Sequence, residues 1–206
     1  MKNFLDNIKE KDEVYAIFLV GSSKNKEIFE NDVDLFVFTN DLGVQIRETK
    51  IFDNITFDIS YFPKNCIDKL IEDREYFFLK EMKDPKIIFK KSDIKNIIKK
   101  CEYLFNKGPK KLSKEEINLE KENIYSKILD INICDKYSFF EINFLSNLIL
   151  REILVLSFKI KGEWVPKDNK LFKGLNLEIL TYIKNMNPSN SYQILIDLYN
   201  KIEVIL

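Results

Sequence analysis

The sequence predicts an α+β protein: a small mixed-sheet domain with flanking helices over residues 1–90, followed by an α-helical bundle over residues 91–206. Three observations predict it. Up to residue 90 the apolar residues run in short continuous or alternating stretches, the pattern of strands; beyond it they recur at helical spacing over long segments. Charge divides at the same place. Residues 1–90 carry 14 basic and 18 acidic groups and residues 91–206 carry 19 and 15, although the whole chain balances 33 against 33. Finally, 206 residues that are 45% apolar, with only five Gly and five Pro, can fill a core without long linkers.

The elements follow in order. Asn3 to Lys11 has the spacing of a short amphipathic helix. Val14 to Val20 is a continuous apolar run ending at Gly21, as expected of a strand buried on both faces. Ser22 to Glu30 is polar. Asp32 to Phe38 reads as a second strand, and Ile46–Phe52 and Ile55–Phe62 as a third and fourth, joined by a hairpin turn at Asp53-Asn54. Pro63 ends the fourth. Ile67 to Met82 predicts a helix in one or two pieces, and Ile87-Ile88-Phe89 a short edge strand. A helix over Asp93–Asn106 is expected to be capped by Ser92, and Gly108-Pro109 breaks it. Ser113 with Glu116 three residues on forms a capping box that opens a helix running to about Cys134. A second long helix is expected over Tyr137–Ile160. After a loop carrying Trp164, helices over Lys170–Asn185 and Ser189–Ile205 close the chain.

Composition restricts the chemistry. There is no histidine, so neither Ser-His-Asp nor Cys-His catalysis can operate, nor an imidazole pH switch. Three cysteines (Cys66, Cys101 and Cys134) cannot make a four-thiolate zinc site. Acid–base or metal chemistry must use carboxylates, Lys, Tyr or water. The charged N-terminus has no signal-peptide pattern, and no apolar run approaches the roughly 20 residues of a membrane span. The expectation is a cytoplasmic protein with reduced thiols and no membrane partner. Zero net charge and only three Arg argue against a high-affinity nucleic-acid binder.

One cluster carries chemistry. Gly21-Ser22 ends a buried strand, and after nine residues Asp32-Val33-Asp34 opens the next. Residues i and i+2 of a strand share a face, so Asp32 and Asp34 are expected to project together while Val33, Leu35 and Val37 point into the core. Two neighbouring carboxylates repel unless a cation lies between them, and Mg²⁺ takes such oxygens together with phosphates. Asp58 stands as one acid in the apolar strand Ile55–Phe62, where a lone carboxylate is costly to bury. If that strand pairs beside the second, Asp58 completes a three-carboxylate metal site. Gly21 would let backbone approach a phosphate.

Gly21-Ser22, the nine-residue spacer, Asp32-Val33-Asp34-Leu35 and the later Asp58 resemble the nucleotidyltransferase superfamily of DNA polymerase beta. The likeness covers roughly residues 13–62. A weaker one extends over Asn106–Ser113 and Gly162–Pro166 with Lys170-Leu171, which is similar to bacterial members with a helical C-terminal domain, including aminoglycoside- and lincosamide-modifying enzymes. The resemblance implies a Mg²⁺-dependent nucleotidyltransferase that moves a nucleoside monophosphate, AMP from ATP, to a hydroxyl of a small molecule such as an antibiotic, or of a protein. It implies that Asp32 and Asp34 bind one or two Mg²⁺, and that Asp58 shares a metal or takes the hydroxyl proton. Gly21, Ser22 and Ser23 would lie at the phosphates, with Lys170 as a nucleotide ligand and Lys167 as its rival. Dimer contacts from the helical domain, and hence a homodimer, are also expected from relatives.

Several residues admit two readings. Trp164 either stacks on a base or packs on the helices. The nine Lys between Lys90 and Lys114 form a solvated face or touch phosphate. Glu141 and Glu152 either face solvent or supply a base on the substrate side. The alternative for the whole chain is a weakly active or inactive member of the fold that acts as an interaction protein, an antitoxin-like partner of another chain.

Overall fold

The computed structural model describes residues 2–25, 32–41, 43–133 and 136–205. The chain divides into two compact units, residues 1–107 and 108–206.

The first unit opens with α1 (Lys2–Lys9), β1 (Val14–Val20), a 3₁₀ turn (Gly21–Asn25) and β2 (Val33–Thr39). Then come β3 (Ile46–Phe52), β4 (Ile55–Pro63), α2 (Lys64–Glu72), α3 (Tyr76–Met82), β5 (Lys86–Lys90) and α4 (Lys95–Lys107). The five strands form one mixed sheet in the order β3-β4-β2-β1-β5. Only β2 and β4 are parallel; the other pairs are antiparallel. Asp53 and Asn54 both adopt positive φ, 50° and 61°. That is the type I′ geometry, whose twist matches the strands of the β3–β4 hairpin. β5 lies at the sheet edge against β1, in the place the sequence assigns it.

Strand alternation sorts the core onto two faces. Val33, Leu35 and Val37 of β2 pack with Ile17 and Leu19 of β1, Phe57 and Ile59 of β4, and Leu5 and Ile8 of α1. The opposite face is aromatic. Phe36, Phe38 and Phe62 surround Phe78 of α3 with ring centroids 5.3–6.0 Å from it. Phe78, Leu79 and Met82 are fully buried, which fixes α3 against the sheet. The helix α4 packs on α3 and so belongs to this unit. Its start differs from the expectation: Asp93 Oδ1, rather than Ser92, accepts the Lys95 N–H at 3.0 Å. An Asp side chain reaches the second following amide readily and so caps as well as serine does.

The second unit holds α5 (Lys114–Ile131), α6 (Phe139–Lys161), α7 (Leu177–Lys184) and α8 (Ser191–Asn200). Both long helices start with capping boxes, Ser113 with Glu116 and Ser138 with Glu141. Gly162 closes α6 in the left-handed conformation, φ 70°, and the Glu163 N–H returns to the Phe158 carbonyl. Ile124, Ile128 and Ile131 of α5 meet Ile149, Ile153 and Leu156 of α6 and Leu195 and Leu198 of α8 in one core. The expected helix over Lys170–Asn185 is shorter than its apolar pattern. A 3₁₀ turn covers Asp168–Lys170, Gly174 takes φ 103°, and Asn176 caps α7 by accepting the Ile179 N–H. Leu171 and Leu175 still fill the core, so their helical spacing came from burial and not from helix. The last helix stops at Asn200, and Ile202 and Ile205 reach the core from the turns that follow. Cys134, the expected end of α5, lies outside the described residues. No helix among the described residues is long and apolar enough to cross a membrane.

Candidate functional site

The site forms where β1 ends and β2 and β4 begin. Val20 pairs with Asp34 across β1 and β2, and Gly21 follows at φ 71°. An L residue rarely takes this conformation, and a Cβ on Gly21 would lie 2.2 Å from Asp34 Oδ2 and 3.1 Å from its Cγ, so the Asp34 side chain would have to move. Glycine is what allows the backbone turn to close on the carboxylate.

The parallel register of β2 and β4 places Asp34 directly beside Asp58. Both side chains are half-buried and share the face of Phe36 and Phe62. Asp58 has its own supports. Thr49 Oγ1 donates to Asp58 Oδ1 at 2.6 Å, and the Arg47 guanidinium lies 3.7 Å from Oδ2. Both supports come from β3, whose register the two-residue turn determines: Thr49 is paired with Asp58. Further along the hairpin the Tyr61 hydroxyl donates to Glu48 at 2.8 Å. Burial first, and then that bond, push the Tyr61 hydroxyl well above the ordinary tyrosine range. The link also ties β3 to β4.

The 3₁₀ turn Gly21–Asn25 is held from below. Ser23 is buried, and its hydroxyl donates to the Val20 carbonyl at 3.4 Å, so it builds the turn from inside. Ser22 is exposed. Lys24 Nζ donates to the Asp84 carbonyl at 2.8 Å and pairs with its carboxylate at 3.1 Å. The Gly21 N–H donates to Glu81 Oε2 at 2.8 Å. Residues 26–31 lie outside the described residues.

The structure therefore brings together Gly21, Ser22, Ser23, Asp34 and Asp58. Asp32 is exposed one residue ahead of β2. Among the described residues no group of three carboxylate or thiol side chains is gathered to hold a metal ion. The Asp34–Asp58 pair nevertheless offers the hard oxygen donors that suit Mg²⁺, an ion commonly held by one or two carboxylates with phosphate and water completing its shell. The Asp34 carboxylate occupies the space that a Cβ at position 21 would take.

Lys170 belongs to the second unit, exposed at the end of the Asp168–Lys170 turn, beside the ion pair of Asp168 with Arg151. The two acids of α6 also acquire definite roles. Glu141 closes the capping box, and the Ser138 hydroxyl and backbone N–H hold its carboxyl below the usual carboxylate range. Glu152 binds Lys127 at 2.6 and 2.8 Å in a cleft of about 480 Å³ between α5 and α6. Thr49, Arg47 and Glu81 were not foreseen. Counting back from the Asp53-Asn54 turn would have found Thr49; Glu81, 60 residues from Gly21, has no local signal.

No family model matches the sequence, and no curated protein matches it significantly. Among solved structures, a nucleotidyltransferase-like protein from Exiguobacterium sibiricum 255-15 is similar at a TM-score of 0.57 and 11% identity. The match covers 98% of this chain and 72% of that one. At that identity the likeness concerns backbone architecture: the chain has the fold of a nucleotidyltransferase-like protein, a mixed sheet followed by helices.

Proposed function

We propose that the protein is a Mg²⁺-dependent nucleotidyltransferase that transfers a nucleoside monophosphate, AMP from ATP, to a hydroxyl and releases pyrophosphate. The observation that carries this reading is the juxtaposition of Asp34 and Asp58 in parallel register, with Gly21 turned against Asp34. Asp34 and Asp58 are the residues that would hold Mg²⁺, and Asp32, exposed at the entry to β2, is the third carboxylate assigned to it. The bound ion would neutralise the triphosphate and polarise its oxygens. The chain's own groups do the rest. Ser22 and the backbone of the Gly21 turn bind the outer phosphates, and the rigid sheet keeps the acids oriented. Asp58 accepts the proton of the incoming hydroxyl, whose oxygen bonds to the α-phosphorus as the bond to the pyrophosphate oxygen breaks. Lys170 is assigned to the nucleotide. The acceptor is a small molecule or a protein hydroxyl.

The test is titration calorimetry of ATP with and without Mg²⁺, together with pyrophosphate release on presentation of hydroxyl acceptors. The wild type is expected to bind Mg²⁺·ATP. Asp34→Ala is expected to lose about 10³-fold in turnover, the equivalent of several kcal/mol of charge stabilisation, with its circular dichroism unchanged. A wild type that binds no nucleoside triphosphate in the presence of Mg²⁺ overturns the reading.

A further inference from the structure

The Gly21 N–H lies beyond both ladders of β1, which end at Val20–Asp34 on one side and Leu19–Lys86 on the other. No strand takes this donor; Glu81 does, at 2.8 Å. A bond from a backbone amide to a carboxylate is among the stronger hydrogen bonds. Glu81 is well based, because its helix is anchored by the fully buried Phe78, Leu79 and Met82. Lys80 Nζ lies 3.5 Å from the other carboxylate oxygen and offsets part of its charge. A second link repeats the pattern three residues further on in both segments, where Lys24 grips Asp84. Three bonds thus tie the 3₁₀ turn to α3 and the loop after it, each across 60 residues of sequence.

We propose that Glu81 is a positioning residue for nucleotide binding: its carboxylate holds the Gly21 N–H and thereby sets the turn that receives the triphosphate. The inference rests on the nucleotidyltransferase reading above. Glu81 is an anion and would repel a phosphate, so it acts through Gly21. The leverage is geometric. Gly21 is so close to Asp34 that a small rotation of its peptide changes the room beside that carboxylate. Sequence gives no hint of this pairing, and no strand hydrogen bond can replace it.

The experiment measures the Kd of Mg²⁺·ATP for the full chain, and hydrogen exchange at the Gly21 amide by NMR. Glu81→Ala removes the acceptor. Glu81→Asp keeps the charge but shortens the reach, and serves should the alanine variant not fold. Glu81→Gln keeps an acceptor of the same length. The expected result is Kd raised about tenfold in Glu81→Ala and Glu81→Asp, in line with the loss of a charged hydrogen bond, and within about threefold of wild type in Glu81→Gln. Gly21 exchange is expected to be slow in wild type and Glu81→Gln and fast in the other two. A merely structural role would not be rescued by the amide in both readouts. Wild-type Kd in Glu81→Asp, or an unprotected Gly21 amide in the wild type, overturns the inference while leaving the function standing. Failure of the wild type to bind Mg²⁺·ATP overturns the function, and the inference with it.

Discussion

One pair of acids in the first unit is placed unlike the lysine-paired acids found in both units. In the first, strand register sets Asp34 beside Asp58, and their surroundings are a hydroxyl, a glycine and a guanidinium at 3.7 Å. In the second, acids on helices or turns find lysines on neighbouring helices: Glu120 with Lys159, Glu152 with Lys127, Glu203 with Lys121. Exposed pairs of that kind contribute between nothing and about 1 kcal/mol each, at little cost. Two adjacent carboxylates repel, and the Arg47 guanidinium beside Asp58 offsets part of that repulsion.

Left-handed glycines give the sharpest way to break this contrast. Gly21 and Gly162 have nearly the same φ, 71° and 70°, one in each unit. A Cβ at Gly162 meets the Lys111 side chain at ordinary contact distance, Cε at 3.7 Å and Cγ at 4.0 Å, whereas at Gly21 it strikes Asp34. Gly162→Ala is expected to cost about 1 kcal/mol from backbone strain alone. Gly21→Ala should cost about 3 kcal/mol, since overpacking adds to the strain, and should abolish Mg²⁺·ATP binding. Urea unfolding followed by circular dichroism measures both, and the single Trp164 reports the second unit by fluorescence. Equal costs would mean that Asp34 yields easily and that the site is not rigid.

A smaller effect is expected at the helix caps. Ser138→Ala removes the hydroxyl that accepts the Glu141 N–H and should destabilise the second unit by about 1 kcal/mol. Nucleotide affinity should stay at the wild-type value. A loss of binding would give Glu141 a part in the site beyond its capping box.

The smallest effect at neutral pH concerns Tyr15 of β1. Burial, with a lesser contribution from the Asp68 carboxylate, pushes its hydroxyl up from 10.0 to about 12. The folded state therefore holds this proton more tightly than the unfolded chain. The resulting stability is fully present below pH 10 and is lost as pH rises through about 12. Tyr15→Phe should flatten the alkaline limb of a stability–pH curve between those values and leave it unchanged at pH 7. An unaltered limb would assign alkaline unfolding to other groups.

Much of the fold could be read locally. β1 matches the apolar run Val14–Val20 in both bounds, and the Asp53-Asn54 hairpin and the Ser113 capping box form as their residue types require. Periodicity failed at Lys170–Asn185, because burial alone spaces Leu171 and Leu175 like a helix while Gly174 and Asn176 interrupt it. Within the site, Gly21, Asp34 and Asp58 were legible because chain order and alternation place them. Ser23 was read as a phosphate neighbour from its position, but its hydroxyl turns inward to Val20.

The sequence by itself determined the strands, the hairpin register, the start of α5 and the absence of any imidazole, since these depend on residues a few positions apart or on composition. Only the tertiary structure decided that β2 and β4 run parallel so that Asp34 meets Asp58, that α4 joins the sheet unit, and that Glu81 reaches Gly21. Those contacts join residues 24 to 60 positions apart. Their energies arise from packing and desolvation around them, which no local pattern records.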